Sequence, residues 1–124
     1  MAHEKTVKSF RTPPQSLESE KALLGALMIR PEGMLESSDI VSADALYAEK
    51  HRILYRAMLA LFTKNEPIDI ESVRAYLSDK KQLEQIGGVS YLAELASDVP
   101  AASNARHYAQ LVQKKYMLRS LIDA

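Results

Sequence analysis

The chain reads as all-α, a compact orthogonal bundle of about six helices, and three observations predict it. Apolar residues recur at helical spacing in several separate stretches. Each stretch is bracketed by residues that start or stop helices, such as Ser16, Pro31, Pro67, Asp69, the Gly87-Gly88 pair and Pro100. Strand-like alternation of apolar and polar residues is absent, which leaves helix on helix as the way to bury the apolar stripes.

Taken in order, residues 1–12 are polar with scattered charge and no period, and a Pro pair follows them. They read as a flexible N-terminal tail. The helical domain then runs over residues 13–124. Ser16 is placed to cap the first helix, whose first turn carries Glu18 and Glu20, the sign that suits the positive end of the helix dipole. Leu17, Leu24, Leu27 and Met28 fall on one side of it, with Leu23 at the margin. Gly25 inside this helix costs up to about 1 kcal/mol relative to Ala, so it is either a point of close approach by another helix or a tolerated surface glycine.

A weaker helix from about Pro31 to Ile40 turns Met34, Leu35 and Ile40 inward, and Ser42 or Asp44 opens a short turn ending near Tyr47. The clearest amphipathic stretch comes next. Ile53, Leu54, Ala57, Met58, Leu61 and Phe62 share a face while Glu49, Arg52, Arg56 and Lys64 look away, which predicts the central helix of the core. Pro67 prevents that helix from continuing, and Asp69 is placed to cap another carrying Ile70, Val73 and Leu77. Leu83 and Ile86 lead to Gly87-Gly88, which supplies positive-φ freedom and launches a helix through Val89, Leu92 and Leu95 toward Pro100. The last helix starts near Ser103 and carries Tyr108, Leu111, Val112, Leu118, Leu121 and Ile122. It is still in helical period at Ala124, with no stop residue, so the chain reads as cut from something longer.

Composition narrows the function classes. With 124 residues the chain fits one domain that buries roughly two-thirds of its unfolded surface. Hydrophobic residues make up 47% and charged residues 26%, a globular balance. There is no Cys, which excludes a disulfide scaffold and thiolate metal sites and fits a reducing compartment. With no apolar run long enough to span a bilayer and no secretory h-region, a cytoplasmic protein without a membrane partner is expected. Sixteen basic residues balance sixteen acidic ones, so no global positive field draws in phosphate backbones.

A search for chemistry finds no reaction centre. The phosphate-cradling pattern of Gly, four residues, Gly, Lys and Ser/Thr does not occur. His3, His51 and His107 are too far apart in sequence for a helical metal pair, and the homes expected for them are tail, surface and satisfied interior. Carboxylates are dispersed, and no strand-turn-helix elbow surrounds any Ser. The expectation is no catalytic, cofactor-binding or metal site in this chain. A DNA-reading pair of helices opened by Asp69 and Gly88 is disfavoured, because their connector is long and the helix from Val89 to Ser97 carries Glu94 and no Lys or Arg. Arg106, Lys114, Lys115 and Arg119 gather later, as a solvated face or as a contact for an acidic partner or nucleic acid. The six Tyr residues are core edges or interface anchors, and across Val89, Tyr91 and Tyr108 the two readings are equally open.

Four ordered blocks carry a more specific signal. Pro13-Pro14-Gln15-Ser16-Leu17-Glu18-Ser19-Glu20 leads to Leu24-Gly25-Ala26-Leu27-Met28; then come His51-Arg52-Ile53-Leu54-Tyr55, Pro67-Ile68-Asp69 and Gly87-Gly88-Val89-Ser90-Tyr91-Leu92 through Leu95. Together with Tyr108-Ala109 and Val112 they resemble the N-terminal domain of the bacterial replicative DNA helicases, the DnaB family, over nearly the whole chain. Val89 departs from the aromatic residue often found there.

The resemblance implies an assembly role. In that family a C-terminal motor domain, absent from this chain, hydrolyses ATP with Mg and moves on single-stranded DNA. The N-terminal domain pairs with copies of itself, as homodimers on a hexameric ring, and that end recruits primase and, in some members, a loader. The chain is thus expected to be a scaffold without enzyme activity of its own. Val89, Tyr91 and Tyr108 are the candidate self-association residues, and the primase-binding residues are unknown. The alternative is a stand-alone helical nucleic-acid-binding module, and a small stand-alone enzyme is a third reading.

Overall fold

The structure is a computed structural model and describes residues 13–123; the tail 1–12 read from the sequence lies outside them, as does Ala124. Among the described residues six α-helices follow one another: α1 (Leu17–Ile29), α2 (Gly33–Ile40), α3 (Glu49–Thr63), α4 (Ile70–Asp79), α5 (Gly88–Ser97) and α6 (Ala105–Asp123). Short 3-10 turns at Ala43–Ala45, Glu84–Ile86 and Ala102–Asn104 join them, and no strand occurs among the described residues. The fold class is all-α, as expected.

The caps explain where the helices begin. Ser16 sits in extended backbone and its Oγ accepts the Ser19 amide at 3.2 Å. Asp69 does the same for α4, accepting the Ser72 amide at 2.7 Å. Gly87 and Gly88 both adopt positive φ, at 104° and 74°, where an L side chain would be strained. The ends of α3 and α4 share another device. Asn65 and Lys81 each turn into the left-handed region, and the next amide returns to the helix, Glu66 N–H to Leu61 O at 2.9 Å and Gln82 N–H to Leu77 O at 2.8 Å.

The core is organised around α1, not α3. Every residue from Ala22 to Met28 is buried, as is Glu20, and the helix packs against α2, α3, α5 and α6. The reason is compositional: Ala22-Leu23-Leu24-Gly25-Ala26-Leu27-Met28 is apolar on all sides, and such a helix belongs in the interior. Leu23, placed at the margin by periodicity, is fully buried, whereas Leu17 is exposed. The amphipathic α3 covers one side of this hub with Ile53, Leu54, Tyr55, Ala57, Met58 and Leu61.

Gly25 marks a helix crossing. A Cβ built there would collide with the Leu95 carbonyl oxygen of α5 and lie 3.2 Å from Val99 Cβ, so a hydrogen is all that fits. The close-approach reading therefore holds. In α2, Met34 is buried as expected, Leu35 is exposed, and the buried polar Ser37 takes the place expected of it, 2.8 Å from the Tyr55 hydroxyl. Tyr55 also donates to Val41 O at 3.1 Å, and burial pushes its phenol pKa up.

Candidate functional site

From the last residue of the first 3-10 turn to the start of α3 the chain runs through Ala45-Leu46-Tyr47-Ala48, a connector whose Ala45 and Leu46 are fully buried. A partly buried connector must find partners for its backbone groups away from water, since an orphaned buried amide or carbonyl costs about as much as a lost hydrogen bond. Here charged side chains from three helices supply most of them. Glu20 of α1 accepts the Tyr47 amide at 2.6 Å and the Ala48 amide at 3.3 Å. Arg52 of α3 donates to Leu46 O at 2.9 Å and Tyr47 O at 2.7 Å. Arg119 of α6 donates to Ala45 O at 2.6 Å and, with its other arm, to Pro14 O at 2.9 Å. The remaining groups bond locally: Ala45 and Leu46 N–H donate to Ser42 and Ala43 O, and Ala48 O accepts the His51 and Arg52 amides of α3.

The clamp extends through His51. Its Nδ1 lies 2.8 Å from Glu20 Oε1, and its Nε2 lies 2.6 Å from the Tyr91 hydroxyl of α5. A carboxylate only accepts, so Nδ1 is the donor, and in the neutral imidazole Nε2 accepts the Tyr91 proton. The His51 and Tyr91 rings stack at 6.0 Å, and Lys50 Nζ sits 4.0 Å from the centre of the Tyr91 ring. Partial burial and the negative charges of Glu94 and Glu20 push the Tyr91 phenol pKa up to about 12. Glu20, His51 and Tyr91 thus tie α1, α3 and α5 together, and they come from three of the ordered sequence blocks. No buried side-chain polar atom among the described residues lacks a partner.

This arrangement assigns places to the residues singled out by sequence. His51 is the satisfied interior histidine, and His107 is on the surface. Val89 is 42% exposed on α5, Tyr91 is half-buried in the clamp, and Tyr108 is only 8% exposed, its hydroxyl accepting the Ala101 amide at 3.2 Å. The basic cluster divides. Arg119 is drawn into the clamp and lies over the rings of Tyr47 and Tyr116, whereas Arg106, 3.8 Å from Glu36, and Lys114 stay exposed, so Arg119 is the member that leaves the solvated face. Arg52, expected to look away, folds back onto the connector. No group of three or more His, Cys, Asp or Glu able to hold a metal occurs among the described residues.

The second notable region is the far end of α6. Met117, Leu118, Leu121 and Ile122 are 58%, 38%, 74% and 69% exposed, although periodicity places the last three with the packing face. The face that does pack is Ala105, Tyr108, Ala109 and Val112. Met117, Leu118 and Leu121 share a shallow groove with Ile40 of α2.

Fold and clamp together define a small helical domain whose polar interior serves its own backbone. Residues 12–114 match the model of the DnaB-like helicase N-terminal domain, and the chain belongs to that family. It is 45% identical over 114 residues to the replicative DNA helicase DnaB of Geobacillus stearothermophilus, which covers 92% of this chain and 25% of that protein. To the replicative DNA helicase DnaC of Bacillus subtilis it is 40% identical, over 90% of this chain and 25% of the relative. The chain thus spans about a quarter of these relatives. The crystal structure of the N-terminal domain of DnaB helicase from Mycobacterium tuberculosis superposes with a TM-score of 0.89 at 35% identity, covering 90% of this chain and 81% of that one. A structure of a DnaB-like replicative helicase, described with its interactions with primase, aligns with a TM-score of 0.76 at 28% identity, over 87% of this chain and 25% of that one.

Proposed function

We propose that this domain is an assembly scaffold of a replicative DNA helicase, pairing with copies of itself and recruiting primase while a motor outside these residues binds ATP and Mg and moves on single-stranded DNA. The observation that carries the reading is the exposed apolar end of α6, beside an interior whose buried side-chain polar groups are all satisfied among the described residues. Four neighbouring large apolar side chains in water mark a surface meant to be covered. Val89 and the outer edge of Tyr91 are further contacts on α5, and Tyr108 acts from behind through the Ala101 backbone it holds. The primase role is supported by the interaction described for the aligned helicase. A loader and a hexameric ring belong to the same reading, as does a cytoplasmic setting; no helix among the described residues is long and apolar enough to cross a membrane.

Apolar area, and not charge, is expected to hold the self-association, so it survives moderate salt. Light scattering of the purified domain at about 0.15 and 0.5 M salt, where the screening length falls below about 8 Å, tests this. Association at both salts, weakened by Leu121→Glu, supports the scaffold. A strict monomer at high micromolar concentration in both overturns it. Co-elution with primase from the same organism tests recruitment, and no shift at matched high concentration counts against it. The nucleic-acid-binding alternative is weakened because Arg119 turns to the backbone and Arg106 faces Glu36, and a sub-micromolar, steeply salt-dependent affinity for single-stranded DNA would restore it.

A further inference from the structure

We propose that Arg119 is a positioning residue that fixes the direction in which the exposed end of α6 leaves the body of the domain, by tying that end to the Ala45–Ala48 connector and to Pro14. Tyr108, Val112, Tyr116 and Arg119 follow one another at helical spacing on the side of α6 that meets the body. Apolar burial on that side fades after Val112, since Tyr116 is half-buried. Arg119 is the next contact outward, and it reaches two carbonyls from distant parts of the chain with two arms of one planar fork. The rings of Tyr47 and Tyr116 flank the guanidinium at 5.3 and 5.7 Å, which limits its alternatives.

Met117, Leu118, Leu121 and Ile122 lie on either side of Arg119 in sequence and face solvent. Whatever covers them pulls on a helix end whose anchor is this guanidinium. Displacing that end uncovers Ala45 O, and the connector is held on its other groups by Glu20 and Arg52. Arg119 therefore links the exposed end mechanically to the starts of α1 and α3. This holds whichever partner covers the apolar residues.

Two variants test the link, Arg119→Gln and Arg119→Lys, the second keeping the charge while losing the fork. Amide hydrogen exchange at residues 45–48 and 116–122 is expected to rise together, by about tenfold, while Leu23, Tyr55 and Val73 stay protected. The absence of native Cys allows clean spin labelling of Ser38→Cys and Ser120→Cys, both at exposed positions. Their distance distribution is expected to broaden in both variants and to stay narrow in the parent. Fraying of α6 with no response at residues 45–48, or an unchanged distance distribution, overturns the proposal. If Arg119→Gln loosens the whole core, the milder Arg119→Lys carries the comparison. The distance measurement uses the unassociated domain, so its failure leaves the scaffold reading standing.

Discussion

The connector clamp and the end of α6 invert the usual placement of side chains. In the clamp, the carboxylate of Glu20 and the imidazole of His51 are buried; at the end of α6, leucine and isoleucine stand in water. The difference shows which groups have found their partners inside the chain. Glu20 is matched by connector amides and by His51, and His51 by Glu20 and Tyr91, so their work is internal. The exposed apolar side chains have no such match within the described residues, so any work they do is external.

The largest effect expected from breaking this contrast is at Glu20. Glu20→Ala strands two part-buried amides and the buried His51 ring and is expected to cost roughly 3–5 kcal/mol in urea unfolding. Glu20→Gln keeps an acceptor and should cost about 1–3 kcal/mol. A variant as stable as the parent would show that the clamp is not what holds the connector. Tyr91→Phe removes the hydroxyl on His51 and is expected to cost about 1–2 kcal/mol, with self-association reduced no more than the lost stability explains. A large loss of association at unchanged stability would instead make Tyr91 an interface residue.

Alkaline titration sharpens the same point. The folded pKa of Tyr91, about 12, lies above its ordinary value of 10.0, so the neutral phenol is the form the fold favours. Its stabilising contribution is complete below about pH 10 and is lost between about pH 10 and 12. Ultraviolet titration is expected to show a late tyrosine phase that shrinks in Tyr91→Phe; Tyr55, also pushed up by burial, accounts for the remainder. The smallest stability effect is at Leu121. Leu121→Glu should change unfolding by less than about 0.5 kcal/mol while weakening self-association about tenfold or more. Equal losses in both would place Leu121 in the fold and erase the contrast.

Much of the fold was legible in the sequence because caps are local. Ser16, Asp69 and Gly87-Gly88 act on residues within a turn of themselves, and each does in the structure what its position predicts. The hub was less legible, since amphipathic period reveals helices with a wet side, and α1 has almost none. The clamp was hidden for a different reason. Glu20 satisfies amides 27 and 28 positions away, while the nearby helix dipole offers an adequate local account of an acidic residue there. A signal did exist: Glu20, Leu24 and Leu27 share one helical face, which places the carboxylate on the buried stripe. Arg119 carried the same hint, in line with Tyr108 and Val112. Arg52 offered none, because its guanidinium returns to backbone just before its own helix.

The bond from Arg119 to Pro14 brings residue 14 within one side chain's reach of residue 119. Polypeptides whose opening and closing segments lie that close are the ones that tolerate being spliced into the loops of unrelated hosts. The segment from 14 to 119 is thus expected to behave as a portable cassette, graftable into a carrier loop through two short joints.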